Sequence, residues 1–299
     1  MAAAAAPPVP LAVPNRSTVR VVAHRGSSGA VPEHTLAAYR RAIEEGADAL
    51  ECDVRLTADG HLVCVHDRRV DRTSNGRGVV STLELADLAE LDFGSWKDEA
   101  LPPEEPEAPD RAPAPAGTGP TGTGPVADPE RSAVLTLERL LELVADAGRR
   151  VELAIETKHP TRYAGRVEAE LLRVLHRFGL AGTDPARAGE RSPVRIMSFS
   201  QLSLRRVRQA APSLPTVFLM ERLPLRFRDG SLPPGVSIAG PGIDLVRANP
   251  GFVARLHRAG HRVHVWTVDD PADVELCLRL GVDAVITNRP REVLDQLGR

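Results

Sequence analysis

Short apolar runs alternate with stretches of helical period along most of this chain, and the runs are continuous rather than alternating apolar and polar. That pattern limits the fold to a parallel sheet covered by helices, because only strands buried on both faces read this way. Strands are expected at 19–23, 49–54, 62–65, 150–158, 194–199, 216–220, 262–268 and 284–287, with a weaker one at 236–239. Helices are expected between them. Thr35 and Thr136 read as N-caps, Asn249-Pro250 and Asp270-Pro271 as openings with a cap and proline at the first turn, and Pro290 as the start of the last helix. Eight strands close a barrel, so one of nine is accessory. The expected fold is α/β, a (β/α)₈ barrel, preferred over a doubly wound sheet because no Gly-x-Gly-x-x-Gly follows the first strand.

Polar residues stand at the C-terminal ends of these strands, where parallel α/β folds place their chemistry. His24-Arg25-Gly26 ends the first. In the second, Glu51 and Asp53 lie two residues apart and leave one face of the strand, with Cys52 on the other. A lone Glu-x-Asp is common on solvated edges, but Glu156 and Lys158 repeat the spacing at the same relative place in a later strand. Carboxylates this close repel unless a cation lies between them, and oxygen ligands suit a hard ion, Mg²⁺ or Ca²⁺. His66-Asp67 ends the run after the Ala58-Asp59-Gly60 turn and is expected on the same rim. Three carboxylates for a metal (Glu51, Asp53, Glu156), two histidines near neutrality (His24, His66) and two fixed cations (Arg25, Lys158) suit P–O bond cleavage. Phe199 and Trp266, at strand ends in a chain with few aromatics, are candidates to line the pocket. The remaining histidines, His61, His159, His176, His257, His261 and His264, read as scaffold or surface.

The 299 residues carry a net charge of −2 and offer no basic footprint for nucleic acid. Cys52, Cys64 and Cys277 lack metal-ligand spacing and read as core residues of a reducing compartment. The start lacks a basic region and an unbroken apolar run, so residues 1–17 read as a disordered tail rather than a signal peptide. No apolar run is long enough for stable membrane insertion, and a cytoplasmic protein is expected. The barrel is expected over 18–299, with 68–133 inserted after His66-Asp67 and about 99–130, rich in Pro, Gly, Ala, Thr and acids, disordered.

HRG at 24–26, ECD at 51–53, HD at 66–67 and ETK at 156–158 together resemble the glycerophosphodiester phosphodiesterase family, as do SFS at 198–200, WTVDDP from Trp266 and GVDAVITNRP from Gly281. The resemblance runs from about Val19 to Pro290. It implies a TIM barrel with a small insertion after the His-Asp motif, and metal-dependent hydrolysis of a small-molecule glycerophosphodiester to glycerol 3-phosphate and an alcohol. By motif, Glu51, Asp53 and Glu156 would bind the divalent metal, His24 and His66 would be the acid-base pair, and Arg25 and Lys158 would hold the phosphate. Glu33 would stand behind them as an anchor. Three positions depart from the family's usual text: His34 replaces an Asn and is expected to face water, Asp269 stands where Asn is usual, and Asn288 where Asp is usual. The alternatives are a lysophospholipase D-like activity, which needs an apolar approach surface, and a silent phosphodiester-binding barrel, which a lost histidine or carboxylate would have favoured.

Overall fold

The computed structural model describes residues 18–98, 128–159, 161–162, 165–181 and 192–299. The expected tail at 1–17, and the expected disordered segment apart from its last three residues, lie outside these. The strands are β1 (Arg20–His24), β2 (Ala49–Leu56), β3 (Leu62–Cys64), β4 (Glu152–Thr157), β5 (Val194–Ser198), β6 (Thr216–Met220), β7 (Ile238–Pro241), β8 (Arg262–Val265) and β9 (Ala284–Thr287). The helices are α1 (Leu36–Glu44), α2 (Leu85–Ala89), α3 (Pro129–Ser132), α4 (Leu137–Ala145), α5 (Arg166–Arg177), α6 (Gln201–Ala210), α7 (Ile243–Ala248), α8 (Gly251–Arg258), α9 (Pro271–Leu280) and α10 (Pro290–Gln296).

Eight strands run parallel in the order β1-β9-β8-β7-β6-β5-β4-β2, and pairing of β1 with β2 closes them into a (β/α)₈ barrel. The accessory strand is β3, which pairs antiparallel with β2 through Val54–Cys64 and Leu56–Leu62. The weak run near 236–239 is a barrel member, β7, paired with β6 on one side and β8 on the other. His66 therefore does not end a parallel strand. The hairpin carries the chain past the rim and back, and Val65 N donates to Asp53 O at 3.2 Å, which sets His66 beside the carboxylate strand.

Strand alternation sorts the side chains. Outward residues meet the helices: on α5, Val167, Leu171, Val174 and Leu175 recur at helical spacing and are buried against the sheet. Inward residues form an apolar layer inside the barrel, from Val22, Ala49, Ala154, Met197, Val217, Leu219, Ile238, Ala284 and Ile286. This layer separates the two mouths. The caps at Thr35, Thr136 and Asp270 form, each side-chain oxygen accepting from a first-turn N–H. Asn249 does not cap α8: it ends α7, donating from Nδ2 to Leu245 O, and α8 starts after Pro250.

Residues 68–98 hold α2 and two single turns of 3₁₀-helix around a small core of Val63, Val65, Val70, Val80, Leu88, Leu91 and Phe93. Regular structure resumes at Asp128, earlier than composition suggests. Asp128 caps α3, Glu130 pairs with Arg40 at 2.7 Å, and Phe93 N donates to Ser132 O at 2.7 Å.

Candidate active site

Parallel register sets His24 opposite Glu51 and Asp53 opposite Glu156, so three strands present one polar row at the C-terminal rim. Glu51, Asp53 and Glu156 are 2%, 1% and 7% exposed, and one oxygen of each lies within 4.8 Å of the others. That spread suits one ion, since oxygens about 2.4 Å from a common cation lie at most about 4.8 Å apart. Burial, then the charges of Asp53 and Glu156, push the Glu51 carboxyl well above the carboxylate range. Burial acts the same way on Asp53, but Lys158, His66, His34 and Arg25 outweigh it and hold that carboxyl low. A divalent cation among the three would supply the counter-charge that Glu51 lacks, so the donor set fits Mg²⁺ or Ca²⁺.

The fixed cations sit within the carboxylates. Lys158 Nζ is 2.9 Å from Glu156 Oε1 and 3.2 Å from Asp53 Oδ1. Arg25 Nε lies 3.2 Å from Asp53 Oδ2, and its Nη1 donates to Glu33 Oε1 at 3.0 Å. Arg25 adopts left-handed backbone at φ 57°, which costs a non-glycine residue about 1–2 kcal/mol. Its N–H faces Glu51 O at 3.2 Å and Glu51 Oε2 at 3.1 Å, so the strained turn locks it to β2.

Each histidine has its Nδ1 held by a fixed oxygen. His66 Nδ1 pairs with Asp67 Oδ1 at 2.7 Å, and Arg72 donates from Nε to Asp67 Oδ2 at 2.6 Å. A carboxylate only accepts, so Nδ1 carries the proton and Nε2 is the ring's acceptor. Burial, then the charges of Arg25 and Lys158, push His66 below the usual histidine range. His24 Nδ1 meets Asn288 Oδ1 at 2.7 Å. The amide is fixed from behind, since Asp269 Oδ2 accepts from Asn288 Nδ2 at 2.6 Å while Asp269 Oδ1 accepts from Asn288 N and Thr287 Oγ1. The two departures therefore touch, and together they present a carbonyl oxygen to His24. Its Nε2 then faces Glu51 Oε2 at 3.9 Å.

His34 does not face water. It is 6% exposed, with Nδ1 2.8 Å from the Tyr39 hydroxyl and Nε2 2.9 Å from Asp53 Oδ2. The PEHT loop turns inward because His34 takes left-handed backbone, φ 60°, and its N–H donates to Arg25 O. Its imidazole thus braces a carboxylate from behind.

The rim encloses a cavity of ≈ 900 Å³ lined by His24, Arg25, Glu33, Glu51, His66, Glu156 and Lys158, with Phe199 and Trp266 on the far wall. Those two rings meet edge to face at 5.5 Å, and Trp266 Nε1 donates to Gly240 O at 2.7 Å. Every sequence-predicted site residue except Asp53, which lies 1% exposed behind Arg25 and Lys158, lines this one cavity. The family model described as the Glycerophosphoryl diester phosphodiesterase family matches residues 24–292.

The chain belongs to that family. Like its other members, it is a phosphoric diester hydrolase. A Mycobacterium tuberculosis protein named probable glycerophosphodiester phosphodiesterase 1 is 45% identical over 270 residues, covering 90% of this chain and 89% of that protein. A Bacillus subtilis glycerophosphodiester phosphodiesterase is 36% identical over 276 residues, covering 91% and 84%. In fold, the chain is similar to an Oleispira antarctica phosphodiesterase solved with the product sn-glycerol-3-phosphate, with a TM-score of 0.73 at 23% identity over 95% of this chain and 98% of that one.

Sequence reasoning about this phosphodiesterase missed Arg72 and Lys97, both in the segment between β3 and α3. Arg72 joins Asp67 to Glu33, donating to Glu33 Oε1 at 2.7 Å, and Arg25 and Arg72 hold the Glu33 carboxyl far below its usual range against the effect of burial. Lys97 Nζ donates to Ser28 O at 2.6 Å and lines the cavity beside Trp96. Neither belongs to a periodic element. The only available signal was chemical: a buried Asp67 next to a histidine needs a cation.

Proposed function

We propose that this enzyme hydrolyses glycerophosphodiesters to glycerol 3-phosphate and an alcohol, with Glu51, Asp53 and Glu156 holding a divalent cation and His24 and His66 exchanging protons. The observation that carries the reading is one buried carboxylate trio flanked by two histidines, each with Nδ1 held by a fixed oxygen, and by two cations at one cavity. When bound, the cation supplies Lewis acidity, lowering the pKa of the glycerol 2-hydroxyl and offsetting phosphate charge.

The residues do the rest. Arg25 and Lys158 hold the phosphate oxygens and stabilise the charge that shifts between them in the transition state. One imidazole accepts the proton of the 2-hydroxyl through Nε2 as that oxygen attacks phosphorus, and the other donates its proton to the departing alcohol oxygen. The cyclic phosphate is then opened by water with the two roles exchanged. Glu33, tied to Arg25 and Arg72, keeps Arg25 aimed at the phosphate. Phe199 and Trp266 give the glycerol carbons an apolar wall and keep competing water out. Three buried free cysteines support a cytoplasmic site of action.

A second reading, a lysophospholipase D-like enzyme, is favoured by two exposed leucines that follow strand ends: Leu202, 54% exposed, in the first turn of α6 after β5, and Leu225, 74% exposed, in a turn of 3₁₀-helix after β6. Among the described residues no helix is long and apolar enough to cross a membrane. ³¹P NMR of a panel of glycerophosphodiesters and lysophospholipids, with and without chelator, separates the readings. Release of glycerol 3-phosphate from water-soluble diesters, abolished by EDTA, is expected. Activity on lysolipids alone would replace the first reading with the second.

A further inference from the structure

The barrel has a second polar recess at its other mouth, below the apolar layer. A cavity of ≈ 460 Å³ opens at the N-terminal ends of the strands, lined by Arg195 of β5, Arg208 of α6, Arg262 and His264 of β8, and Thr216 and Ser237. Among the described residues no carboxylate lines it. The nearest ion-pair cluster is itself rich in cations: Arg20, Arg150 and Arg195 lie 2.5, 3.3 and 2.6 Å from the same carboxylate, Glu152. His264 reports the resulting field. Burial first, then the charge of Arg195, push it down to about 3 against the pull of Asp283.

Two buried polar atoms on this cavity's lining residues have no partner among the described residues. Arg195 is 7% exposed and its Nε has none, although its Nη2 reaches Glu152; Thr216 is 1% exposed and its Oγ1 has none. An unsatisfied buried donor costs about 1–3 kcal/mol, so an acceptor that completes them is bound favourably. Arg208 is brought to the recess by a glycine. A Cβ at Gly235 would lie 2.0 Å from Arg208 Nη2, so the guanidinium lies across the loop only because no side chain stands there.

We propose that this mouth is an anion site that takes inorganic phosphate, held by Arg195, Arg208 and Arg262 with the Thr216 hydroxyl as a further donor. Guanidinium groups match phosphate geometry with paired N–H donors; Arg195 shares its Nη2 with Glu152, but among the described residues no carboxylate lines the recess itself. The apolar layer of Val22, Ala49, Met197 and Ile286 closes the barrel between this site and the catalytic rim. Phosphate here would not occupy the substrate cavity.

The test is isothermal titration of the full chain with inorganic phosphate, at constant ionic strength against chloride, in the wild type and in Arg208→Ala and Arg208→Ala/Arg262→Ala. Arg208→Ala is expected to weaken a saturable phosphate event by about tenfold or more, and the double variant to remove it, with glycerophosphodiester turnover unchanged. Phosphate bound at the catalytic rim would be indifferent to both variants. Equal phosphate binding in wild type and Arg208→Ala, or no binding beyond the chloride control in wild type, would overturn the proposal and leave the arginines as a structural closure of the barrel. Arg208 lies half-buried on a helix surface, so the single variant keeps the test valid if the double one fails to fold.

Discussion

Asn288 is held by a carboxylate behind and by an imidazole and the Ser28 hydroxyl in front, and its carbonyl oxygen decides which nitrogen of His24 carries a proton. Asn288→Ala removes the amide oxygen that holds Nδ1 without touching a carboxylate of the trio, so kcat should fall by about ten- to a hundredfold while metal affinity stays near wild type. Steady-state kinetics beside a metal titration checks this; a loss of metal affinity equal to the loss of turnover would contradict it. Glu51 carries the opposite lesson. Its folded pKa is raised, so its ionised form destabilises the metal-free fold as pH rises through the unfolded value. Glu51→Gln should therefore raise the Tm of chelated protein at neutral pH, and lower it relative to wild type once Mg²⁺ or Ca²⁺ is added. A lower Tm in chelated protein would show that the carboxylate is compensated by the protein alone.

Two elements carry most of the site's geometry, and they differ in how far the sequence revealed them. The turn after β1 was legible because it needs a glycine: Gly26 has φ +83°, and a Cβ there would lie 2.6 Å from the Ala38 carbonyl carbon. Gly26→Ala should destabilise by at least about 1–2 kcal/mol from backbone strain alone, read as a fall in Tm. The β2–β3 hairpin was half legible. Its turn residues announced a reversal, but an apolar run so short has no period to tell a parallel barrel strand from an antiparallel return. His34 was misread for a related reason: a loop position gives no pattern, and only the contacts of its inward turn with Tyr39 and Asp53 reveal its burial. On α5, Glu168 lies 3.3 Å from His159 Nε2, and His159, the Glu168 backbone N–H and the Ser203 hydroxyl overcome burial to bring its carboxyl down to about 2. Because the folded pKa is depressed, that contribution is present above the unfolded value and lost as pH falls toward about 2. The Tm deficit of Glu168→Gln should thus be largest at neutral pH and shrink below about pH 4.5, the ordinary glutamate value the folded group departs from.

At the scale of the whole molecule, the barrel separates a rim lined by carboxylates and histidines from a mouth lined by arginines, with an apolar layer between. Strand alternation made the architecture readable, since burial on both faces forces continuous apolar runs; the identity of the accessory strand required tertiary pairing. The rim was readable because Glu51 and Asp53, and again Glu156 and Lys158, sit at fixed i, i+2 spacing, whereas Arg72 and Lys97 reach it from a segment without period. The proposed mechanism has His24 and His66 share proton transfer across the cavity that the carboxylate trio borders. Turnover of a glycerophosphodiester by His24→Ala and His66→Ala, measured with metal affinity and with His176→Ala as control, tests this most directly. The expected result is a loss of about two to four orders of magnitude in kcat for each site variant, near-neutrality for the control, and a double variant little worse than either single one. Near wild-type turnover in His66→Ala with metal affinity intact would contradict it.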